Sequence, residues 1–264
     1  MLKPFSLLSF TSSWSRKQRS SATVLLFFVL LLLFLWAISI VLSYAPDPIR
    51  ENADRFAQGA RMTVLLTVSA GISGILLGVL AALGKTSRFI VLRYIAGFYV
   101  WVIRGTPLLV QILFIYFALP VLIPSVQFND ITSACIALSL NVGAYNAEAV
   151  RAGLLAVPKG QIEAARSLGM SSKKTFFHIL FPQAFKISLP SLVNNIVALL
   201  KDSSLAYSIG VVELTNIGNR IQSASFEPVP VLITTASIYL ILTTILTYMS
   251  NAIEKYYDVE GRIL

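Results

Sequence analysis

The chain has 264 residues, of which 56% are hydrophobic and only 12% are charged, with a net charge of +9. A soluble domain carries about a quarter charged residues, so this composition excludes a water-soluble globule and predicts an all-α integral membrane protein whose basic residues flank its spans rather than bind nucleic acid. A single cysteine, Cys135, and a single histidine, His178, exclude a disulfide framework and leave too few ligands for a metal cluster.

Five regions have the length of a membrane helix, about 20 mostly apolar residues. They are residues 22–44, 62–83, 131–150, 187–212 and 229–252. The first follows Arg16, Lys17 and Arg19 as a secretory signal would, but its apolar run exceeds the usual length of about 7 to 15 residues, and Pro46 would follow the cleavage site. We therefore interpret it as a retained anchor. An external linker follows, in which residues 49–60 could form a short amphipathic helix at the membrane surface.

A sixth apolar region, residues 89–123, is longer than one span and is interrupted at residues 104–107. Pro107 removes a helix donor and pushes Thr106 toward an extended conformation, so the region is either one broken helix or a hairpin of two short helices. Short cytoplasmic loops collect Lys and Arg. One span with a cytoplasmic N-terminus places most of the basic residues inside, whereas two spans place most of them outside, so we predict six membrane helices with both termini in the cytoplasm.

Small residues recur at fixed spacing in the second span. Gly74 and Gly78 lie on one helical face, and Thr63, Thr67 and Gly71 repeat at the same spacing on an overlapping face. Small residues let helix backbones approach closely in lipid. We expect this helix to pack tightly inside one bundle, with a subunit interface as the alternative.

Motifs of nucleotide binding and catalysis are missing from the sequence. Gly84, Lys85 and Thr86 resemble the end of a phosphate-binding loop, but Val79 stands where the first glycine of that motif belongs, and a membrane helix precedes it instead of a strand. No nucleophile elbow, zinc-protease motif or catalytic triad is recognisable, and one histidine leaves little general-base chemistry. We predict that the chain does not bind ATP and is not an enzyme.

A polar segment, residues 151–190, separates the fourth and fifth apolar regions and carries helix punctuation. Pro158 suits an early helical position, Glu163 favours the positive end of a helix dipole, and Gly169 can end the helix as a C-terminal cap. A short helix is therefore expected from about Pro158 to Leu168.

A second short helix is expected after the glycine. Ser171 or Ser172 can cap it, and it should end as Pro182 approaches. Ala164 and Ala165 keep the surface of the first helix small, so the two helices would form a compact knob that enters a groove on a partner. The alternative is a solvated loop with incidental helices.

The same segment carries a recognisable pattern. Glu163-Ala164-Ala165 is followed by three residues, Gly169, nine residues and Ile179-Leu180-Phe181-Pro182. This resembles the cytoplasmic EAA loop of ABC importer permeases, although the usual ending is Ile-x-Leu-Pro and Phe181 departs from it. Other stretches resemble the polar amino acid (histidine/glutamine/arginine type) subgroup of that family, namely residues 104–111, 143–148, 157–160, 200–205 and 210–215. The resemblance covers about residues 57–260.

The resemblance implies that the chain is divided into three parts. Residues 1–56 would hold a cytoplasmic tail, an extra transmembrane helix and the external linker. Residues 57–256 would form the five-helix permease core, with its coupling loop at 151–190, and residues 257–264 a cytoplasmic tail. The core and the extra helix together give about six transmembrane helices. Such a protein would cross the bacterial inner membrane several times.

The resemblance also implies partners. A second permease subunit, identical or homologous, would complete a dimer, and an extracytoplasmic solute-binding protein would deliver a polar amino acid. Two copies of an ATP-binding subunit would bind ATP and Mg, so no cofactor is expected in this chain. The short helix with Glu163, Ala164, Ala165 and Gly169 would be the coupling helix, which the closing ATPase dimer moves to give alternating access. Membrane lipid is expected as a partner and nucleic acid is not.

Charged groups at membrane depth are costly and therefore mark candidate substrate-binding residues. Lys201 and Asp202 lie near the middle of the fifth span, Arg104 lies at the interruption, and Glu148 lies near the inner end of the fourth span. A zwitterionic amino acid needs acceptors for its ammonium group, which Asp202 or Glu148 could provide, and donors for its carboxylate, which Arg104 could provide. Glu148 could instead pair with Arg151 at i,i+3.

Two other classes of protein fit part of this pattern. A membrane anchor that recruits a cytosolic partner would use the knob but not the intramembrane charges. A secondary transporter would use the charges but not the knob, and the inverted repeats of many such folds are not visible. The sequence does not identify the amino acid.

Overall fold

The computed structural model describes residues 16–257 of the chain. Within that range all of the regular structure is helical. The helices are α1 (Arg16–Leu42), α2 (Ala53–Lys85), α3 (Ile90–Gly105), α4 (Leu108–Leu113), α5 (Leu119–Leu122), α6 (Asp130–Ala156), α7 (Lys159–Ser167), α8 (Ser172–Thr175), α9 (Phe181–Asp202), α10 (Leu214–Ser225) and α11 (Pro228–Tyr256). Residues 1–15 and 258–264, which make up most of the two predicted cytoplasmic tails, lie outside the described residues.

Length and composition identify four stretches that can cross a membrane among residues 16–257. They are Gln18–Leu42, Arg50–Lys85, Ser172–Ile209 and Pro228–Tyr256. A fifth is the bent pair formed by α3 and Leu108–Leu122, if the pair is counted as one span. Helix α6 has sufficient length, at 27 residues, but is too polar to qualify by composition. The protein is therefore an all-helical membrane protein, and the number of six spans stays a prediction.

Helix α6 lies at the centre of the bundle, between α2 and α9. A side chain at Gly74 of α2 would collide with Val142 of α6, and a Cβ atom at Gly78 would lie 2.5 Å from Cβ of Asn146. On the opposite side, a side chain at Gly153 would collide with Ser188 of α9. The expected tight packing inside one bundle is confirmed, because these glycines let three backbones approach closely.

The additional helix α1 packs against α11 and the first half of α2. Ile38 of α1 belongs to a buried apolar cluster that includes Phe56 of α2 and Leu242 of α11. The guanidinium of Arg61 donates hydrogen bonds of 3.4 and 3.3 Å to the carbonyl of Leu35. The expectation of a separate surface helix at residues 49–60 is wrong, since a short 3₁₀ turn leads directly into α2, whose first turns bury apolar side chains.

Two of the prolines that lie within continuous helical stretches follow a widened turn. Pro120 comes two residues after the π-helical turn Phe114–Ala118, and Pro182 comes two residues after the π-helical turn Phe176–Leu180. A proline has no N–H and clashes with the carbonyl four residues earlier in a regular α-helix, and a π turn relieves both problems. The predicted helix end before Pro182 is therefore wrong, and the helix runs continuously through Ser172–Ile209.

Candidate functional site

The interruption predicted at residues 104–107 is confirmed. Thr106 and Pro107 are both extended, and the helices on either side of them differ in direction by 111°. This angle is larger than the bend of a kinked span and smaller than the reversal of direction in a closed hairpin. The bent pair is apolar enough to lie in a membrane, where the carbonyl groups freed at the break need hydrogen-bond donors from the protein.

Gln111 supplies those donors. Its Nε2 atom donates to the carbonyls of Ile103 at 2.8 Å and Thr106 at 3.1 Å and to Thr106 Oγ1 at 3.0 Å, and its Oε1 atom accepts from Asn141 Nδ2 at 3.0 Å. The side chain is only 8% exposed. The side-chain amide of Gln111 therefore pairs with the carbonyl groups at the break and links the break to α6. This link places the end of α3, with Arg104, beside the central helix.

Arg104 and Glu148, two of the predicted substrate-binding residues, line one cavity of about 440 Å³. The guanidinium carbon of Arg104 lies 5.3 Å from the ring centroid of Tyr145, which is a cation–π distance. Lys85 and Trp101 also line the cavity. It therefore offers donors for a carboxylate and an aromatic surface, with a single carboxylate group in its wall.

Glu148 is held by two cations. Its Oε2 atom accepts hydrogen bonds of 2.9 and 2.7 Å from Arg151, and its Oε1 atom forms an ion pair with Lys85 Nζ. The side chain of Glu148 is 19% exposed. The predicted pairing with Arg151 is confirmed. The sequence does not predict the contact with Lys85, because the two residues are 63 positions apart.

Lys201 and Asp202 do not line this cavity. They end α9 and are followed directly by the 3₁₀ helix Ser203–Ile209, so they do not lie mid-way along a regular α-helix. Lys201 is exposed and Asp202 is half-buried. The four predicted substrate-binding residues therefore form two separate pairs in a single subunit.

The predicted short helix of the polar segment is confirmed as α7, Lys159–Ser167. Gly169 has φ +77°, Met170 N–H donates to the carbonyl of Ala165 at 3.1 Å, and Gly169 N–H donates to that of Arg166 at 2.9 Å. This pair of bonds is a Schellman motif, which requires a left-handed residue at the glycine position. It ends the helix in an open turn, with Leu168 84% exposed at the tip.

The rest of the polar segment presents a mixed surface. Glu163 and Ala164 are exposed on α7, whereas Ala165 is buried against the remainder of the protein. Ser171 caps the following helix, since its Oγ atom accepts from Lys174 N–H at 3.4 Å. The exposed part of α7 is therefore small in profile and ends in one large apolar side chain, a shape suited to a groove.

Glu213 is a buried carboxylate that the sequence analysis did not single out. Its two oxygens accept hydrogen bonds of 2.8 Å from the N–H groups of Thr215 and Asn216, and Tyr239 donates to Oε2 at 2.9 Å. Burial raises the pKa of this carboxyl group. Glu213 thus caps α10 and ties it to α11. The sequence pattern that indicates this role is an acidic residue directly before a helix, which is typical of an N-cap.

Comparison with known proteins gives relatives that are membrane permeases. The chain is 41% identical over 201 residues to the L-cystine transport system permease protein TcyB of Bacillus subtilis, covering 76% of this chain and 85% of the relative. It is 38% identical to the arginine transport system permease protein ArtQ of the same organism and 35% identical to the glutamine transport system permease protein GlnP of Escherichia coli. Each of these matches covers 75% of this chain and 90% of the relative.

Solved structures have the same fold. An amino acid ABC transporter crystallised with histidines matches with a TM-score of 0.72 and 38% identity, over 77% of this chain and 94% of that chain. An inward-facing MetNI methionine ABC transporter matches with a TM-score of 0.67 at 19% identity, which supports the fold alone. The model of one family, described as binding-protein-dependent transport system inner membrane component, matches residues 74–258. Because that match covers more than half of the chain, the chain belongs to this family of transport permease subunits, which are not enzymes.

Proposed function

We propose that the chain is the permease subunit of an ABC importer that carries a polar amino acid into the cytoplasm. The observation that carries the proposal is the cavity shared by Arg104 and Glu148, in a permease whose relatives are named for cystine, arginine and glutamine transport. Its volume of about 440 Å³ falls within the usual range for small ligands, about 300–1,000 Å³. Arg104 donates to the α-carboxylate of the solute, and Glu148 accepts from its ammonium group.

Lys201 and Asp202 are proposed as a second contact region for the same solute. Charged residues at membrane depth are retained where they bind substrate or line a pathway. The exposure of Lys201 and the partial exposure of Asp202 support this role, since both side chains are accessible from outside the subunit. A second permease subunit that covers this face would enclose them in the pathway.

Energy for transport comes from a separate ATP-binding subunit in this proposal, present in two copies and holding ATP and Mg. The coupling helix is α7, with Glu163, Ala164 and Ala165 in it and Gly169 as its terminal cap. The exposed Leu168 and the left-handed Gly169 support this assignment, because together they present a small apolar tip at a fixed angle. An extracytoplasmic binding protein delivers the solute at the opposite side.

The proposed orientation has six spans and cytoplasmic termini. It can be tested in a variant with Cys135→Ser and one new cysteine, because Cys135 is the only natural one. A cysteine at Ser172 should react with a membrane-impermeant maleimide only after the cells are opened. A cysteine at Ser225, the last residue of α10, should react in intact spheroplasts. The opposite pattern would overturn the orientation.

The transport function is tested by reconstitution in proteoliposomes with an ATP-binding subunit and a binding protein. Labelled arginine, histidine, glutamine, glutamate and cystine are supplied singly and in competition. We expect ATP-dependent uptake of at least one of them, lost in Arg104→Ala. Absence of uptake of every amino acid, with intact subunit assembly, would favour a membrane anchor, and uptake without ATP would favour a secondary transporter.

A further inference from the structure

A groove between α1 and α11 is used by none of the sites above. It has a volume of about 380 Å³ and runs from Phe28 and Met249 at one end to Ser21, Tyr256 and Tyr257 at the other. Near the first end, the rings of Phe27 and Tyr248 stack with their centroids 5.0 Å apart. Most of the groove wall is apolar. Its hydroxyl groups belong to Ser21, Tyr256 and Tyr257, at the end of the groove formed by the start of α1 and the end of α11.

The helix ends that flank Ser21 and Tyr257 are rich in basic residues in their sequence. The first turn of α1 carries Arg16, Lys17 and Arg19 in its sequence, and the last turn of α11 carries Lys255. The acidic residue in the same part of α11 is Glu254. Counted along the sequence, the first turn of α1 and the last turn of α11 therefore carry four basic residues and one acidic residue. In the proposed orientation these helix ends lie at the cytoplasmic face of the membrane.

We infer that this groove is a binding site for an anionic phospholipid of the cytoplasmic leaflet. One acyl chain lies between α1 and α11, and the phosphate lies beside the basic first turn of α1. An apolar channel that ends in basic residues at the membrane surface matches the two halves of such a lipid, and basic pockets between membrane helices bind anionic head groups. The inference rests on the proposed orientation but not on the identity of the solute.

The site also gives the additional helix a physical link to the permease core. At their outer halves, α1 and α11 are joined by the buried cluster around Ile38 and Leu242. Between their inner halves lies the groove of about 380 Å³. A bound lipid fills this space and contacts both helices, so it stabilises α1 against the core.

The test uses the purified full-length permease in nonionic detergent, with equimolar phosphatidylglycerol and phosphatidylcholine of identical acyl chains. Native mass spectrometry counts the lipid molecules retained by each subunit. We expect one retained phosphatidylglycerol per subunit, preferred over phosphatidylcholine by about tenfold. Leu25→Trp fills the groove and should remove the bound lipid. Its matched control is Leu32→Trp, two turns further along the same face and outside the groove, which should retain it.

A second pair of variants tests the head-group contact. The double variant Arg16→Gln and Lys17→Gln should abolish the preference for phosphatidylglycerol, whereas Arg88→Gln with Arg93→Gln, which removes the same charge elsewhere on the cytoplasmic side, should leave it unchanged. Equal retention of the two lipids by the unmodified protein would overturn the proposal. So would equal lipid binding by the two tryptophan variants.

Two other occupants of the groove have distinct outcomes. A gain of bound lipid after deletion of residues 2–13 would identify that segment as the occupant. A change of oligomeric state in Leu25→Trp but not in Leu32→Trp would identify a second copy of the chain. Either result would overturn the lipid site. Lipid retention is measured without transport, so a failure of the lipid site is distinguishable from a failure of the importer function.

Discussion

Gln111 and Asn141 form a buried side-chain hydrogen bond of 3.0 Å that joins the broken helix to the centre of the bundle. The same Gln111 amide donates to two carbonyl groups at the break. In lipid, no water replaces a lost donor at such a position. The chain therefore interrupts a helix next to its candidate site without leaving the freed backbone groups unsatisfied.

Gln111→Leu should destabilise the protein and lower uptake. It removes the donor to Ile103 and Thr106 and the acceptor for Asn141, and each unsatisfied buried group costs about 1–3 kcal/mol. Thermal unfolding in detergent measures the loss. Gln127→Leu, at an exposed loop position, is the matched control and should unfold like the unmodified protein. Equal midpoints for the two variants would contradict the role assigned to Gln111.

Glu148 and Lys85 should be energetically coupled. Neutralising Glu148 leaves Lys85 partly buried without this partner, and neutralising Lys85 leaves Glu148 with Arg151 as its remaining cation. The double variant Glu148→Gln, Lys85→Met should therefore be more stable than the sum of the single effects predicts, by about 1–2 kcal/mol. A double-mutant cycle of unfolding free energies measures this coupling. Additive effects would show that the ion pair makes no contribution. Uptake assays of the same variants separate a loss of solute affinity from a loss of folded protein.

The buried carboxyl of Glu213 should make stability depend on pH. Burial raises its pKa in the folded protein above the ordinary value of 4.5, so folding favours the protonated form. Its contribution is fully present below the unfolded pKa and is lost as pH rises through the folded pKa. Thermal midpoints between about pH 4 and 8 should fall with rising pH and should fall less in Glu213→Gln. Glu227→Gln, at an exposed position, is the control, and its thermal midpoint should depend on pH in the same way as that of the unmodified protein.

Gly169→Val should uncouple transport from ATP hydrolysis. A left-handed conformation costs a side-chain-bearing residue about 1–2 kcal/mol, and a β-branched residue fits it worst, so the end of α7 should unwind. Gly160→Val places the same side chain in the same helix without a positive φ and in open space, so it should retain coupling. Substrate-stimulated ATPase activity and co-purification of the ATPase subunit are the measurements. Normal ATPase stimulation and normal co-purification in Gly169→Val would contradict the coupling role assigned to this glycine.

Asp202→Asn should reduce uptake by at least about tenfold if its carboxylate contacts the solute, since a lost charged contact corresponds to about 1.5–3 kcal/mol. Proteoliposomes with equal amounts of assembled complex provide the measurement. Asp130→Asn, at the first turn of α6 and outside the cavity of Arg104 and Glu148, should transport normally. Full uptake and full stimulation of ATPase activity by Asp202→Asn would remove this residue from the site.

The sequence predicted the features that depend on neighbouring residues or on transfer into lipid. The helical class, the interruption at Pro107, the short helix α7, its glycine cap and the serine cap that follows could all be predicted from residue types a few positions apart. Close helix packing at Gly74 could be predicted for the same reason, since small residues at helical spacing permit it whatever the partner is.

Only the tertiary structure decided which distant groups meet. Lys85 approaches Glu148 because α2 and α6 pack through glycines, and no local pattern encodes a partner 63 positions away. The continuation of the helix through Pro182 depends on a π turn, whereas proline propensity alone predicted a break. Arg104 shares a cavity with Glu148 and not with Asp202, because the orientation of a bent helix is set by the side chains that pack against it. Sequence thus determined the helical class, the break at Pro107 and the glycine-capped end of α7, and packing determined which of the charges act together.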